Sequence, residues 1–396
     1  MTASTSRPTL NGSHDHRPGH PAPNQPPRSN RFIAAVTSRP VIAVVSVLLT
    51  LLFVSVRSPD SPARPRQSSA AVRRGHTSGG GAVARDLTPI QATAAGAAAG
   101  EKLLILTPLK DASPWLDEYF ENLARLTYPP NLISLAFLVS DTTDDTIAKL
   151  QRRANRLQKL PRAQRYDSIT ILQKDFHFNL GSEVRHGFEG QPVRRSFIAK
   201  ARNWLLTAAL RWDHAWVLWL DVDVVRYDPN ILSDLMSIDK DVVVPNTLWH
   251  LEQSWDFWGF DRNNFAETEE SLALLKRLGP DVMLVEGKSP LPGIVFFLSD
   301  LTHREIVRSS GYRELMTSRL HLVDMPTHLG LAYVPLDGIG CTFALVKAHV
   351  HREGVTFPTW VFDNEVETEG FAKMAKRAGR EVVGVPGILV FHAQNH

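Results

Sequence analysis

Two aspartates at the end of a run of large apolar residues pose the first chemical question. In WVLWLDVDVVRYDP, residues 216–229, Asp221 and Asp223 close a stretch that otherwise reads as a buried strand. A carboxylate that near a core is costly unless it is paired, hydrogen-bonded or bound to a cation. At i and i+2 of an extended chain both side chains point the same way. Such a pair can take a hard divalent cation, which can in turn hold a diphosphate. The bland alternative has Asp221 capping a turn and Asp223 pairing with Arg226. Near the end of the sequence His392 follows the apolar run GILVF. An imidazole joined to two carboxylates favours manganese over magnesium.

Other residues of the right types lie around these. Arg195 and Arg202 are seven apart on a helical segment, hence on one face, with Lys200 between them. They are either a solvated face or a cationic cradle for phosphates. Glu365, Glu367 and Glu369 open the segment DNEVETEGFAKMAKRAG, residues 363–379. Acidic residues there suit a helix dipole and Gly379 suits a C-terminal cap, although one glutamate equally suits an acceptor hydroxyl. Trp249, Trp255 and Trp258 are either sugar-stacking surfaces or core. Cys341, the only cysteine, excludes a disulfide framework and a cysteine-based zinc site, and reads as a small buried residue.

The elements that must position these groups alternate. KLLILTPL is a strand breaking at Thr107-Pro108, and SPWLDEYFENLARL a helix capped by Ser113 with Pro114 at its first position. ISLAFLVSD is a second strand ending on Asp141, followed by the helix DDTIAKLQRRANRLQ and a third strand at SITILQKD. The helix of residues 193–212 leads into the strand AWVLWL. Strands alternating with helices imply an α/β fold with a mostly parallel sheet covered on both faces. Ligands then sit beyond the carboxyl ends of the strands, where Thr107, Pro108, Asp141 and Asp221 all fall.

Composition divides the rest of the 396 residues. Residues 1–39, rich in Pro, Ser, His and Arg, read as a disordered tail. The uncharged run VIAVVSVLLTLLFVSV, sixteen residues, covers about 24 Å as a helix, the short end of a membrane span. We therefore expect a single anchor over 40–56 rather than a signal peptide, since RSPDSPARP after it offers no good cleavage site. Five arginines before the span and five within the eighteen residues after it leave its orientation open, and the sequon at Asn11 does not decide it. Residues 57–100 read as a flexible stem and 101–396 as the catalytic domain. A net charge of +3 argues against a nucleic-acid partner.

Taken together, AKARNWLL, WLDVDVV, FDRNNFAETEES, VEG, LDGIG, ETEGFAKMAKRAG and the terminal LVFH resemble the fungal mannan polymerase subunits, glycosyltransferase family 62. The resemblance covers nearly all of residues 102–392. It implies a GT-A fold, a single-pass type II Golgi membrane protein with a lumenal catalytic domain, and related subunits as partners in a mannan polymerase complex. It also implies transfer of mannose from GDP-mannose, with retention, to a mannan or N-glycan outer chain in α-1,6 linkage. By position Asp221, Asp223 and His392 look like the family's manganese ligands. Arg202 in ARN looks like its donor-binding arginine; the adjacent Asn203 and, at the strand ends, Thr107, Pro108, Asp141 and Asp221 are further candidates for holding the donor. Asp261 in FDRNNF looks like its functional aspartate, with Glu367 and Asp337 as further catalytic candidates. The rival readings are a nucleotidyltransferase, which would usually carry a glycine-rich loop after the first strand where TPLKDASP has none, and a scaffold subunit that keeps the fold without turnover.

Overall fold

From Lys102 onward the apolar runs become the strands of one sheet: those of residues 102–109, 133–139 and 214–220 are buried on both faces, and that of residues 168–173 is a partly exposed edge. The computed structural model describes residues 82–178, 190–250, 260–283, 295–296, 306–307, 319–325 and 330–393. The expected tail and anchor, most of the expected stem, the Asn11 sequon, Trp255 and Trp258 lie outside them. Among the described residues no helix is long and apolar enough to cross a membrane.

The first half alternates as expected: β1 (Lys102–Leu109), α1 (Leu116–Arg125), β2 (Ile133–Val139), α2 (Thr146–Leu157), β3 (Ser168–Gln173), α3 (Gln191–Ala209) and β4 (His214–Leu220). Then come β5 (Val224–Tyr227), α4 (Ile231–Ser237), β6 (Val242–Trp249), β7 (Phe265–Ala266) and α5 (Glu269–Leu278). The remainder holds four two-residue strands, β8 (Val295–Phe296), β9 (Ile306–Val307), β10 (Leu320–His321) and β11 (Val334–Pro335), followed by β12 (Phe343–Lys347), α6 (Ala348–Arg352), α7 (Glu367–Arg377) and β13 (Val382–His392).

The main sheet runs β11-β13-β6-β12-β4-β1-β2-β3, with β5 added against the end of β13. β3, β2, β1 and β4 pair in parallel. β12 is antiparallel to both β4 and β6, and β13 is parallel to β6. Reversing twice restores the direction, so β6 and β13 point the same way as β1 and β4; β12 is the inverted strand inside a mostly parallel α/β sheet, and the short β5 and β11 run antiparallel against β13. The physical consequence is that the end of β13, the end of β4 and the start of β12 all meet at one edge of the sheet.

Alternation of side chains explains the unbroken apolar runs. Leu103 and Ile105 of β1, with Trp216 and Leu218 of β4, enter one core cluster with the apolar faces of α1 and α4. Leu104, Leu106, Val217 and Trp219 enter the other, against α3 and α7. Helices on both faces leave no solvated side for a polar residue to alternate onto. Trp216 and Trp219 are fully buried, and truncating either costs about 3–5 kcal/mol.

Three boundaries differ from expectation. α1 starts at Leu116 with Trp115 at its N-cap, not Ser113. The Ser113 hydroxyl bonds the Asp145 carboxylate, and its N–H donates to Asp144 at 3.0 Å, so it joins α2 to α1 instead of capping. α7 starts at Glu367, because Asp363 and Asn364 have φ of 49° and 70° and form a turn. Gly379 does follow the helix with φ 74°, its N–H on the carbonyl of Lys376. The last part of the expected stem also belongs to the fold: Ala92 and Ala97 pack against the core. Gly96 lies so close to α4 that a Cβ would meet Met236 Sδ at 2.6 Å. Small residues that read as low complexity are here the ones that allow close approach.

Candidate functional site

Where β1, β2 and β4 end, a cleft of about 430 Å³ opens, lined among others by Pro108, Asp141, Arg195, Arg202, Asp221, Asp223, Asp261 and Glu367. Its floor is the edge at which β4 stops and β12 begins: Asp221 N–H donates to the Thr342 carbonyl at 2.9 Å. The chain does not stay extended through the two aspartates. It turns, with Val224 N–H on the Asp221 carbonyl, and both carboxylates still reach the cleft.

The turn sends the chain into β5, which pairs antiparallel with β13 and sets Val224 opposite His392. That register brings His392 Nε2 to 3.1 Å from Asp223 Oδ1, while its Nδ1 lies 2.6 Å from the Ala393 carbonyl. Burial lowers the imidazole's pKa, but the hydrogen bond and charge of Asp223, the Ala393 carbonyl and the charge of Asp221 together outweigh it, and the net shift is upward. Arg226, the alternative partner of Asp223, stacks instead on Phe391 with 3.9 Å to the ring centroid. Of the three expected metal ligands, Asp221 and Asp223 therefore line the cleft, while His392 stands behind the lining, bonded to Asp223. Among the described residues no three His, Cys, Asp or Glu side chains converge on one coordination point.

Arg202 comes from the middle of α3 and is 4% exposed. Its Nη2 is 3.4 Å from Asp221 Oδ1 and its Nε 3.4 Å from Glu367 Oε1. Trp219 and Phe357 flank the guanidinium at 5.4 and 5.6 Å. Its Nη1 is buried with no hydrogen-bond partner. A buried unmet donor costs about 1–3 kcal/mol, and in a cationic group on a cleft it marks a place for an anion. Arg195, one face along, bonds Glu369. Arg202 is thus buried, Arg195 partly buried, and both are paired, which excludes the solvated-face reading for them. Burial raises the pKa of Asp221 and of Glu367, with Arg202 opposing the shift in each case.

Asp261, 4% exposed, accepts from Thr342 Oγ1 and from the backbone N–H of Asn263, each at 3.2 Å. Burial pushes its carboxyl up to about 6. It fits only because position 340 is glycine: a Cβ there would lie 1.9 Å from Asp261 Oδ2.

The other expected residues divide. Pro108 lines the cleft. Asp141 lines it too, but in a left-handed conformation (φ 47°) its oxygens accept from the backbone N–H groups of Phe176 at 3.1 Å and His177 at 2.9 Å. Three stand outside the lining. Thr107 is fully buried with its hydroxyl 2.7 Å from that of Tyr119. Asn203 clips both the carbonyl and the N–H of Phe357, at 2.7 and 3.0 Å. Asp337 accepts from Glu267 N–H at 2.7 Å and bonds Lys376. Of the glutamates of 365–369, Glu365 precedes the helix and bonds Arg319 at 2.5 Å, while Glu367 and Glu369 do stand in the first turn of α7 and also bond Arg202 and Arg195 of α3. Trp249 packs edge-on against Phe260 and His392, and Cys341 is buried. Gly340 and Thr342 were missed by residue-type reasoning. The only signal was the pair of glycines in DGIGC, which suggests close backbone approach.

Comparison with known proteins gives a consistent result. The Anp1 family model matches residues 82–306 and 297–361. The chain is 40% identical over 301 residues to the mannan polymerase II complex anp1 subunit of Schizosaccharomyces pombe, covering 74% of this chain and 64% of that protein. It is 37% identical over 314 residues to the corresponding subunit of Saccharomyces cerevisiae, covering 78% and 58%. It is 39% identical over 303 residues to the mannan polymerase complex subunit MNN9 of Candida albicans, covering 74% of each. The chain thus spans a little under two thirds of the length of the first two relatives. It belongs to the Anp1 family, that of the mannan polymerase complex subunits.

Proposed function

We propose that the chain is a GT-A glycosyltransferase that moves mannose from GDP-mannose, with retention, onto a mannan or N-glycan outer chain in α-1,6 linkage. One observation carries the reading: the partnerless Nη1 of buried Arg202 beside Asp221, at the cleft end where Asp223 and His392 meet. The family's naming as mannan polymerase subunits supports mannose as the transferred sugar.

The residues fit a divalent cation chemically. Asp221 and Asp223 keep 30% and 23% of their side-chain surface exposed, and His392 adds a nitrogen donor. These three would hold Mn²⁺, which when bound neutralises charge on a leaving diphosphate. Arg202 binds the same diphosphate through Nη1, in a site where buried charge acts strongly. Asp261 faces the cleft as the group that orients the acceptor hydroxyl and, above about pH 6, accepts its proton.

The proposal extends to a single-pass type II Golgi protein anchored by residues 40–56, working with related subunits of a mannan polymerase complex. The deciding experiment incubates the full chain with GDP-mannose, Mn²⁺ and α-1,6-mannobiose, then analyses the linkage of the product. Transfer that is lost with chelator and restored by Mn²⁺ is expected. GDP binding with no hydrolysis or transfer would instead favour a subunit that keeps the fold without turnover.

A further inference from the structure

Glu367 is the first helical residue of α7, is buried, and has φ of 58°. A side chain in this left-handed region is strained, and the strain persists only where the surroundings over-determine it. Here they do. Glu367 N–H donates to the Pro358 carbonyl at 2.9 Å, and Phe362 and Glu365 exchange backbone bonds at 2.8 and 3.1 Å. Asn364, itself left-handed, bonds the carbonyls of Gly279 and Val282 at 2.6 and 2.7 Å. Gly370 allows the turn to close on the helix, since a Cβ there would meet Pro358 Cγ at 2.4 Å. The outcome of this construction is a carboxylate aimed at Arg202 Nε.

A guanidinium has five N–H donors in a fixed fork. With Nε on Glu367 and Nη2 on Asp221, the plane and tilt of the fork are set, and Nη1 is the donor left over. We propose that Glu367 is a positioning residue: it fixes the guanidinium of Arg202 so that Nη1 presents to the diphosphate of the donor, and it does not itself touch the acceptor hydroxyl. This rests on the GDP-mannose reading and assigns Glu367 a different task from the acceptor-facing one expected from sequence.

The two tasks separate by measurement. Binding of GDP with Mn²⁺, and of pyrophosphate with Mn²⁺, is measured by calorimetry on the full chain and on Glu367→Gln and Glu367→Ala, with transfer assayed in parallel. A glutamine keeps a carbonyl oxygen for Nε, so Glu367→Gln is expected to hold both affinity and turnover within about fivefold. Glu367→Ala frees the fork and is expected to weaken both ligands at least tenfold, with the loss in transfer appearing mainly in KM for GDP-mannose. A hundredfold fall in kcat of Glu367→Gln with unchanged GDP affinity would overturn the proposal, because a base loses function when neutralised whereas an aiming group does not. If Glu367→Ala fails to fold, the glutamine variant still decides between these outcomes. A wild-type chain that binds neither GDP nor pyrophosphate overturns the donor reading and this inference together. Wild-type binding with an unaffected alanine variant overturns this inference alone.

Discussion

The two ends of the same strands carry similar residues in different states. At the amino ends, Lys102 bonds Asp213 at 2.8 Å and Asp167 at 3.0 Å. Arg211 bonds Asp167, Asp213 and Ser168, and His214 Nε2 lies 3.1 Å from Ser134 Oγ. Paired cations hold Asp213 down at about 2 despite burial, and burial holds His214 down at about 4. At the carboxyl ends the contacts of Arg202 are 3.4 Å long, one of its donors is unmet, and Asp261 is pushed up by burial. The short, mutually satisfied network stabilises the fold. The long, unfinished one is where a ligand gains by binding, since it supplies the missing partners.

Breaking each end should have opposite consequences. Replacing both Asp221 and Asp223 with Asn is expected to lower metal-dependent transfer on the order of 10³-fold, about 4 kcal/mol of transition-state stabilisation. The melting temperature should fall little, which a thermal scan of the same preparation checks. Gly340→Ala drives a Cβ into Asp261 and is expected to cost about 1–3 kcal/mol of stability and roughly 10²-fold in kcat. Gly384→Ala, packed against Leu322 and Leu336 away from the cleft, should cost similar stability without that kinetic loss.

The pH dependence sharpens the contrast. Asp261 has its carboxyl raised from 3.8 to about 6, so the folded state holds a proton that the unfolded state has released. Its contribution is full below about pH 4 and is lost as pH rises to about 6, on the order of 2–3 kcal/mol. Asp213 runs the other way: lowered from 3.8 to about 2, it stabilises above about pH 4 and fades as pH falls toward 2. Denaturant midpoints across pH 2–7 should show Asp261→Asn flattening the upper window and Asp213→Asn the lower. The smallest effect is expected from Lys102→Met, about 1 kcal/mol, because its pairs are partly exposed and screened. Its transfer rate should equal that of the wild type.

Runs of apolar residues and their turn signals determined where β1 to β4 and the intervening helices lie, because burial on both faces of β1, β2 and β4 leaves little freedom in residue choice and the edge strand β3 keeps an apolar run bounded by polar residues. The D-x-D at the end of β4 and the terminal histidine were legible for the same reason: a charged group after a core strand demands an explanation. The sequence could not say that β12 enters the sheet inverted, since strand direction depends on neighbours far along the chain. That inversion brings Gly340 and Thr342 to the cleft and seats Asp261. Nor could it tell Thr107, Asn203 and Asp337 apart from residues that do line the cleft, because one or two positions along a chain separate a group facing the ligand from one clipped to backbone. Types and order of residues were local information. The pairing of Glu367 with Arg202, 165 positions apart, exists only once the sheet has folded.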